Sequence, residues 1–199
     1  MNIKNFFGLC LVALCAVACS DNDPVTAPST SATQRLVVDA TDYTQWHYID
    51  LESQQVTTLP VGEPAPDEWD LAVHRYDVKT HGGAAVETAV SDFASLPEPS
   101  SFPTSAFVAD EWTTDRLIVD MSQMMNGVVE YASDDYNPCL SNWLKLDTSS
   151  MPPAYTLSGK VYLLRLKDQT FAACRLVNFM NDQGVKGHLT IDYQYPVQP

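Results

Sequence analysis

The most regular pattern in this sequence is a strict alternation of apolar and polar residues over positions 186–195. The apolar positions are Leu189, Ile191, Tyr193 and Tyr195, and the polar positions around them are His188, Thr190, Asp192 and Gln194. A period of two is typical of a β-strand and cannot make a helical stripe. The pattern therefore predicts a strand with one buried face.

Six other segments have the aromatic and β-branched composition that favours strands. They are residues 36–38, 46–51, 69–78, 117–119, 161–166 and 171–177. The last two are separated by Lys167-Asp168-Gln169-Thr170, which reads as a turn, so they are predicted to pair as a hairpin. Residues 69–78 are predicted to form one continuous core strand.

Proline recurs so often along the chain that few windows remain for a long helix. Residues 84–96 and 138–146 are the two windows in which a short helical piece fits, and residues 87–115 are predicted to form a long irregular loop. The fold class predicted is all-β: a single domain of antiparallel sheets over residues 35–199, with little helix.

The N-terminal residues have the features of an export signal. Lys4 precedes a short apolar run over residues 6–17, and small residues lead up to Cys19. This arrangement predicts a lipoprotein signal peptide over residues 1–18, with acylation of Cys19; Cys15 fits less well because bulky Leu14 precedes it. Residues 19–34 are rich in Ser, Thr, Pro, Ala and Asp and are predicted to be a flexible tether.

The charge of the chain is strongly negative, at −14. Loss of residues 1–18 removes Lys4 and no acid, which leaves ten basic against 25 acidic residues and a net charge of −15. Such a surface disfavours nucleic acid and anionic lipid as partners, so membrane attachment is expected from the acyl chains alone. The sequence also lacks a Gly-x-Ser-x-Gly elbow and a phosphate-binding loop, and no enzymatic activity is predicted.

Two clusters of methionine stand in polar, turn-forming surroundings. One is Asp120-Met121-Ser122-Gln123-Met124-Met125-Asn126-Gly127, and the other is Ser150-Met151-Pro152-Pro153. Methionine most often fills gaps in a core. On a loop, however, its soft thioether can bind haem iron or copper(I). From the residues alone, core packing is the commoner role.

Several of these segments together resemble the HmuY-like haem-binding lipoproteins of Bacteroidetes. The similarity lies in Trp69-Asp70-Leu71-Ala72-Val73-His74-Arg75, in Lys79-Thr80-His81-Gly82-Gly83, in both methionine clusters, in the segment from Asn137-Pro138 to Trp143, in Val161-Tyr162-Leu163-Leu164-Arg165-Leu166 and in Thr190-Ile191-Asp192-Tyr193-Gln194-Tyr195-Pro196. These motifs follow the order of the family and span essentially the whole domain.

The resemblance implies a lipid-anchored protein of the outer membrane, on the cell surface, with two loops that close on a haem. Its partners would be haem, a TonB-dependent outer-membrane haem receptor and, as a source of haem, host haemoproteins. Each loop would supply one axial ligand to the haem iron. Carried over to this sequence, the ligands are Met124 and Met151, with Met125 and then Met121 as the alternatives to Met124.

Three residues depart from the family pattern. His81 stands where the family usually has Asn, which leaves open a histidine ligand, and Cys139 and Cys174 stand at apolar positions, which leaves open a disulfide.

Other residues are candidates for the walls of a haem site. The aromatic candidates are Trp143, Tyr131, Tyr136 and Tyr155, and the cations that could pair with propionates are Lys145 and Lys160. The leading hypothesis is a haem-capturing lipoprotein without catalytic activity. Its competitors are a β-rich module that binds a peptide or glycan, and an enzyme whose site the sequence does not reveal.

Overall fold

A computed structural model describes residues 31–149 and 152–198, and within these ranges the fold is all-β, as predicted. Its strands are β1 Gln34–Asp39, β2 Gln45–Ile49, β3 Val56–Pro60, β4 Leu71–His74, β5 Asp77–Thr80, β6 Ala84–Glu87, β7 Val108–Ala109, β8 Glu111–Asp120, β9 Glu130–Tyr136, β10 Leu144–Asp147, β11 Ala154–Leu157, β12 Tyr162–Arg165, β13 Phe171–Met180 and β14 Lys186–Val197. The predicted signal peptide (residues 1–18) and Cys19 lie outside these ranges. In the described part of the chain, no helix has the length and apolar character needed to cross a membrane.

The strands form two large antiparallel sheets and two small ribbons. The larger sheet has the order β1-β14-β13-β12-β6-β7, and the second has the order β3-β2-β4-β5. The ribbons are the pairs β8-β9 and β10-β11. Apolar side chains from both large sheets share one core, in which Ile49 and Val73 of the second sheet pack with Leu164 and Ile191 of the first.

The predicted alternation in β14 is confirmed by burial. Leu189, Ile191 and Tyr193 are fully buried between the sheets. Asp192, from the polar face, is also mostly buried, because Arg35 and Arg175 approach its carboxylate at 2.6 and 3.3 Å. These cations hold the pKa of Asp192 below its usual value. The predicted hairpin of β12 and β13 is confirmed as well.

The prediction of one continuous strand over residues 69–78 is wrong. The chain turns back after His74, so that β4 pairs with β5 and His74 lies opposite Asp77. Arg75 occupies the left-handed region at φ 55°, which disfavours side chains other than Gly or Asn. Its Nη1 donates hydrogen bonds to the carbonyl oxygens of Ala40 and Thr41 at 2.9 and 3.0 Å, and these tertiary contacts hold the turn.

The two windows predicted to hold a helical piece contain only single turns of 3₁₀ helix. In the first window β6 is followed by Phe93–Ser95, and in the second Leu140–Trp143 leads directly into β10. The irregular segment predicted over residues 87–115 is shorter than expected. It contains further 3₁₀ turns at Pro99–Ser101 and Thr104–Ala106, and it ends at β7 and β8.

Candidate functional site

The first methionine cluster forms the turn that closes a two-stranded ribbon, and the second lies in the sequence between the two strands of another ribbon. In the first ribbon Asp120 pairs with Glu130, and the residues between them form the turn that contains Met121, Met124 and Met125. In the second ribbon Asp147 pairs with Ala154, and the connecting residues include position 151. Met151, the predicted second ligand, lies outside the described residues.

A cleft of about 640 Å³ lies between the β8-β9 ribbon and strand β10. Its lining residues are Tyr76, Asp77, Thr113, Asp115, Arg116, Ile118, Tyr131, Tyr136, Asn142, Leu144, Lys145 and Leu146. The volume lies within the range of roughly 300–1,000 Å³ that is usual for ligand sites. The mixture of aromatic and aliphatic walls with a few charged groups suits a large, flat and partly anionic molecule such as a porphyrin.

The first methionine turn continues directly from one wall of this cleft. Ile118 and Tyr131 are cross-strand partners in the ribbon, and both line the cleft. Three residues beyond Ile118 the chain reaches Met121 and turns. The first methionine cluster is thus carried on the same ribbon as the cleft wall.

The turn itself presents its methionines unequally. Met124–Asn126 is a turn of 3₁₀ helix that ends at Gly127, where φ is 77°. The side chain of Met125 is 91% exposed, Met124 is 45% exposed, and Met121 is half-buried. Met124 and Met125 therefore lie in a helical turn and not in an extended segment. Within this turn, the rest of the protein covers Met124 more than it covers Met125.

An ion pair lines the cleft wall on the core side. The Nε of Arg116 donates to Oδ1 of Asp77 at 2.6 Å, and the guanidinium carbon lies 4.6 Å from the centre of the Tyr136 ring. The Asp77 side chain is almost fully buried, and that burial raises its pKa to about 6, although the attraction of Arg116 acts in the opposite direction. Neither residue is among the site residues predicted from the sequence.

Of the aromatic residues proposed to line a haem slot, two are in the cleft and two are not. Tyr131 and Tyr136 line it. Trp143 is fully buried in the core and donates from Nε1 to the carbonyl oxygen of Tyr76 at 2.8 Å. Tyr155 packs instead against Phe179, with ring centres 5.4 Å apart. Trp143 and Tyr155 therefore pack in and against the core and are not part of the cleft wall.

Of the two lysines proposed to bind propionates, one lines the cleft and the other does not. Lys145 of β10 lines the cleft, is exposed, and forms no ion pair with any residue in the described ranges. Lys160 is outside the lining of the cleft, and its Nζ donates to the carbonyl oxygen of Ala89 at 2.7 Å. The structure thus brings Lys145, but not Lys160, to the candidate site.

None of the four histidines lines this cleft. His47 and His74 are buried in β2 and β4, and burial lowers the pKa of both imidazoles. His188 is half-buried on β14, with its Nδ1 3.7 Å from Asp39. All three are structural residues of the sheets.

His81, the histidine that the sequence left open as an iron ligand, lies elsewhere. Its ring stacks on Trp69 with centres 4.7 Å apart, and its Nδ1 is 3.0 Å from the Trp69 carbonyl oxygen. It lines a second cleft of about 500 Å³. The acidic residues of that cleft are Asp50, Glu52, Asp67, Glu68, Asp70 and Asp168.

Two acidic residues outside this second cleft, Asp110 and Asp134, have partners within the fold. Asp110 accepts hydrogen bonds from Thr80 and Asn137, and Asp134 accepts one from Lys79 at 2.9 Å. Over the described part of the chain, no group of three or more His, Cys, Asp or Glu side chains is arranged to hold a metal ion.

Cys139 and Cys174 are both free thiols. Cys174 is fully buried in the core, and its burial raises the pKa of the thiol to about 12. The disulfide that the sequence left open is therefore not formed in this structure. A thiol with such a pKa is protonated at neutral pH, and this disfavours it as a metal ligand.

Comparison with known proteins gives a consistent result. The profile of the HmuY protein family matches residues 42–193. Among solved structures, a candidate lipoprotein of Bacteroides fragilis is 50% identical, with a TM-score of 0.79 and coverage of 88% of this chain and 95% of its own. A candidate HmuY-like heme-binding protein of Bacteroides vulgatus is 49% identical, with a TM-score of 0.78 and coverage of 87% of this chain and 97% of its own. The apo HmuY analogue of Tannerella forsythia is 25% identical, with a TM-score of 0.70 and coverage of 85% and 100%. No match was found among curated proteins.

Proposed function

The chain belongs to the HmuY family, and from this membership we propose that it is a haem-binding surface lipoprotein whose ligand occupies the cleft between the two methionine-bearing ribbons. The observation that carries the proposal is the position of the cleft. It lies between the β8-β9 ribbon, whose turn contains Met124, and strand β10, which Met151 follows in the sequence. The similarity to a candidate HmuY-like heme-binding protein supports the choice of ligand.

The proposed iron ligands are Met124 and Met151. Met124 is preferred over Met125 because it is the less exposed of the two. Met125 is 91% exposed to solvent, whereas Met124 is 45% exposed. Met121 stays as an alternative, since it is half-buried on the same turn. Two thioethers are soft, uncharged ligands, and they favour ferrous over ferric iron relative to imidazole.

Methionine ligation gives the proposal a distinctive pH dependence. A thioether does not titrate, whereas an imidazole ligand is lost as it becomes protonated in mild acid. Haem held by Met124 and Met151 should therefore stay bound at a pH near 5, where a histidine-ligated haem weakens. Oxidation of either sulfur to the sulfoxide would instead place a polar group at the iron and weaken binding.

The remaining parts of the function are proposed from the family and the sequence. Cys19 would carry the lipid anchor in the outer membrane, and the bound haem would pass to a TonB-dependent receptor. Host haemoproteins would be one source of that haem. The role is one of capture and transfer, and it includes no catalytic step.

A titration of the purified protein with haemin, followed in the Soret region with and without dithionite, tests the proposal. We expect a sharp Soret band that strengthens on reduction and is lost or shifted in Met151→Ala and Met124→Ala. Met125→Ala should leave the spectrum unchanged. Met180→Ala is the matched control, because Met180 ends β13 of the larger sheet and belongs to neither methionine cluster.

Three results would count against the proposal. Flat titrations in both redox states would favour the peptide- or glycan-binding alternative. A spectrum that survives both Met124→Ala and Met151→Ala would exclude these two ligands. A spectrum lost in Met121→Ala, but not in Met124→Ala, would move the first ligand to Met121.

A further inference from the structure

We propose that Arg116 is the carboxylate-binding residue of the cleft and that it recognises a propionate group of the haem, with Asp77 as the residue that positions it. This inference rests on the proposed function. It adds the protein group that would recognise the propionates and so give specificity for a dicarboxylic porphyrin. It assigns a binding role to a residue that lies outside the segments in which the chain resembles the family.

The guanidinium of Arg116 is held at one edge and open at the other. Its Nε donates to Asp77 at 2.6 Å, and its flat face lies on the Tyr136 ring. Across residues 31–149 and 152–198, its side chain makes one hydrogen bond, from Nε to Asp77, and neither terminal amino group donates one. The side chain is 35% exposed and lines the cleft. The two Nη groups are therefore free to bind a planar carboxylate with paired hydrogen bonds.

Asp77 fixes this orientation from inside the protein. It begins β5, and its carboxylate is 6% exposed, so it cannot follow the guanidinium into solvent. Arg116, in contrast, comes from β8 on the separate ribbon. A long side chain that is already held at Nε and stacked on Tyr136 loses less conformational entropy when a ligand binds. This is the preorganisation that a recognition residue requires.

The charge of the cleft supports an anionic ligand. Its charged lining residues are Asp77 and Asp115 against Arg116 and Lys145, which balance formally. The second cleft, by contrast, has six carboxylates lining it and would repel an anion. In a chain of net charge −14, the cleft between the ribbons is thus unusual in presenting two cations. Lys145, on the opposite wall, offers a second and more flexible cation.

The inference is tested with two porphyrins, haemin and haemin dimethyl ester, in which both propionates are esterified and uncharged. The variant combines Arg116→Gln with Asp77→Asn, so that no buried carboxylate is left without its cation. We expect this variant to bind haemin on the order of ten-fold more weakly than the unsubstituted protein, while its affinity for the ester stays the same. Arg116→Lys should keep only part of the preference for haemin over the ester, because an ammonium lacks the planar pair of donors.

Arg165→Gln is the matched control, since Arg165 also lies over an aromatic ring, Phe107 at 5.2 Å, but is outside the cleft. It should leave both affinities unchanged. Equal losses for haemin and the ester in the double variant, or no loss for either, would overturn the assignment of Arg116. Failure of the unsubstituted protein to bind either porphyrin would instead overturn the proposed function, and the inference with it. Circular dichroism of each variant separates these outcomes from misfolding.

Discussion

Asp77→Asn should make the protein more stable at neutral and mildly alkaline pH. Asp77 is an almost fully buried carboxylate with Arg116 as its cation. Its pKa is nevertheless raised, because burial penalises the charged form by more than Arg116 favours it. Asparagine resembles the protonated side chain in shape and keeps an oxygen that can accept the hydrogen bond from Arg116 Nε.

The magnitude follows from the shift in pKa. A rise from 3.8 to about 6, at about 1.4 kcal/mol for each pH unit, corresponds to a cost of at most about 3 kcal/mol for ionised Asp77 in the folded protein. Between these two values the folded state binds more protons than the unfolded state. The free energy of unfolding therefore falls as the pH rises through this interval, and the loss is complete above the folded pKa.

The assay is urea unfolding of the protein and of Asp77→Asn at several pH values from about 4 to about 8. We expect the two free energies of unfolding to be similar near pH 4 and to separate as the pH rises, with the variant more stable by up to about 3 kcal/mol near pH 8. Asp115→Asn is the control, because Asp115 is an exposed carboxylate that lines the same cleft.

Two outcomes would refute this reasoning. If the free energies of unfolding of Asp77→Asn and of the unsubstituted protein differ by the same amount across the pH range, Asp77 does not titrate in the interval expected from its burial. If the variant is less stable near pH 8, the ion pair with Arg116 is worth more than the desolvation of the carboxylate, and the sign of the argument is wrong.

Two further substitutions test the packing behind the site. Trp143→Ala should lower the free energy of unfolding by about 3–5 kcal/mol in a urea titration, because it empties a fully buried position and leaves the Tyr76 carbonyl oxygen without its donor; a loss below about 1 kcal/mol would contradict that role. Gly187→Ala should lower the melting temperature more than Gly184→Ala does, because both glycines have positive φ but only a Cβ at position 187 would collide with Arg75 Nη1. Equal effects of the two substitutions would mean that Arg75 moves aside without cost.

The sequence determined those parts of the fold that depend on neighbouring residues. The alternation that ends in Tyr195 requires a two-faced strand, and Lys167-Asp168-Gln169-Thr170 requires a turn between two strands, whatever packs around them. Ser, Asn and Gly around the first methionine cluster likewise predict the turn that the structure shows at Met124–Asn126. From local residues together with the family resemblance, the all-β fold and the candidate ligands followed.

Tertiary structure alone decided the rest, because the partners are far apart along the chain. The turn at Arg75 has no glycine to mark it and depends on carbonyl oxygens 34 and 35 residues away. Asp77 and Arg116 are 39 residues apart, on separate sheets, and each looks like an ordinary surface charge in the sequence. Their pairing at the wall of the cleft, and the raised pKa of Asp77, arise only when the β8-β9 ribbon packs beside β5.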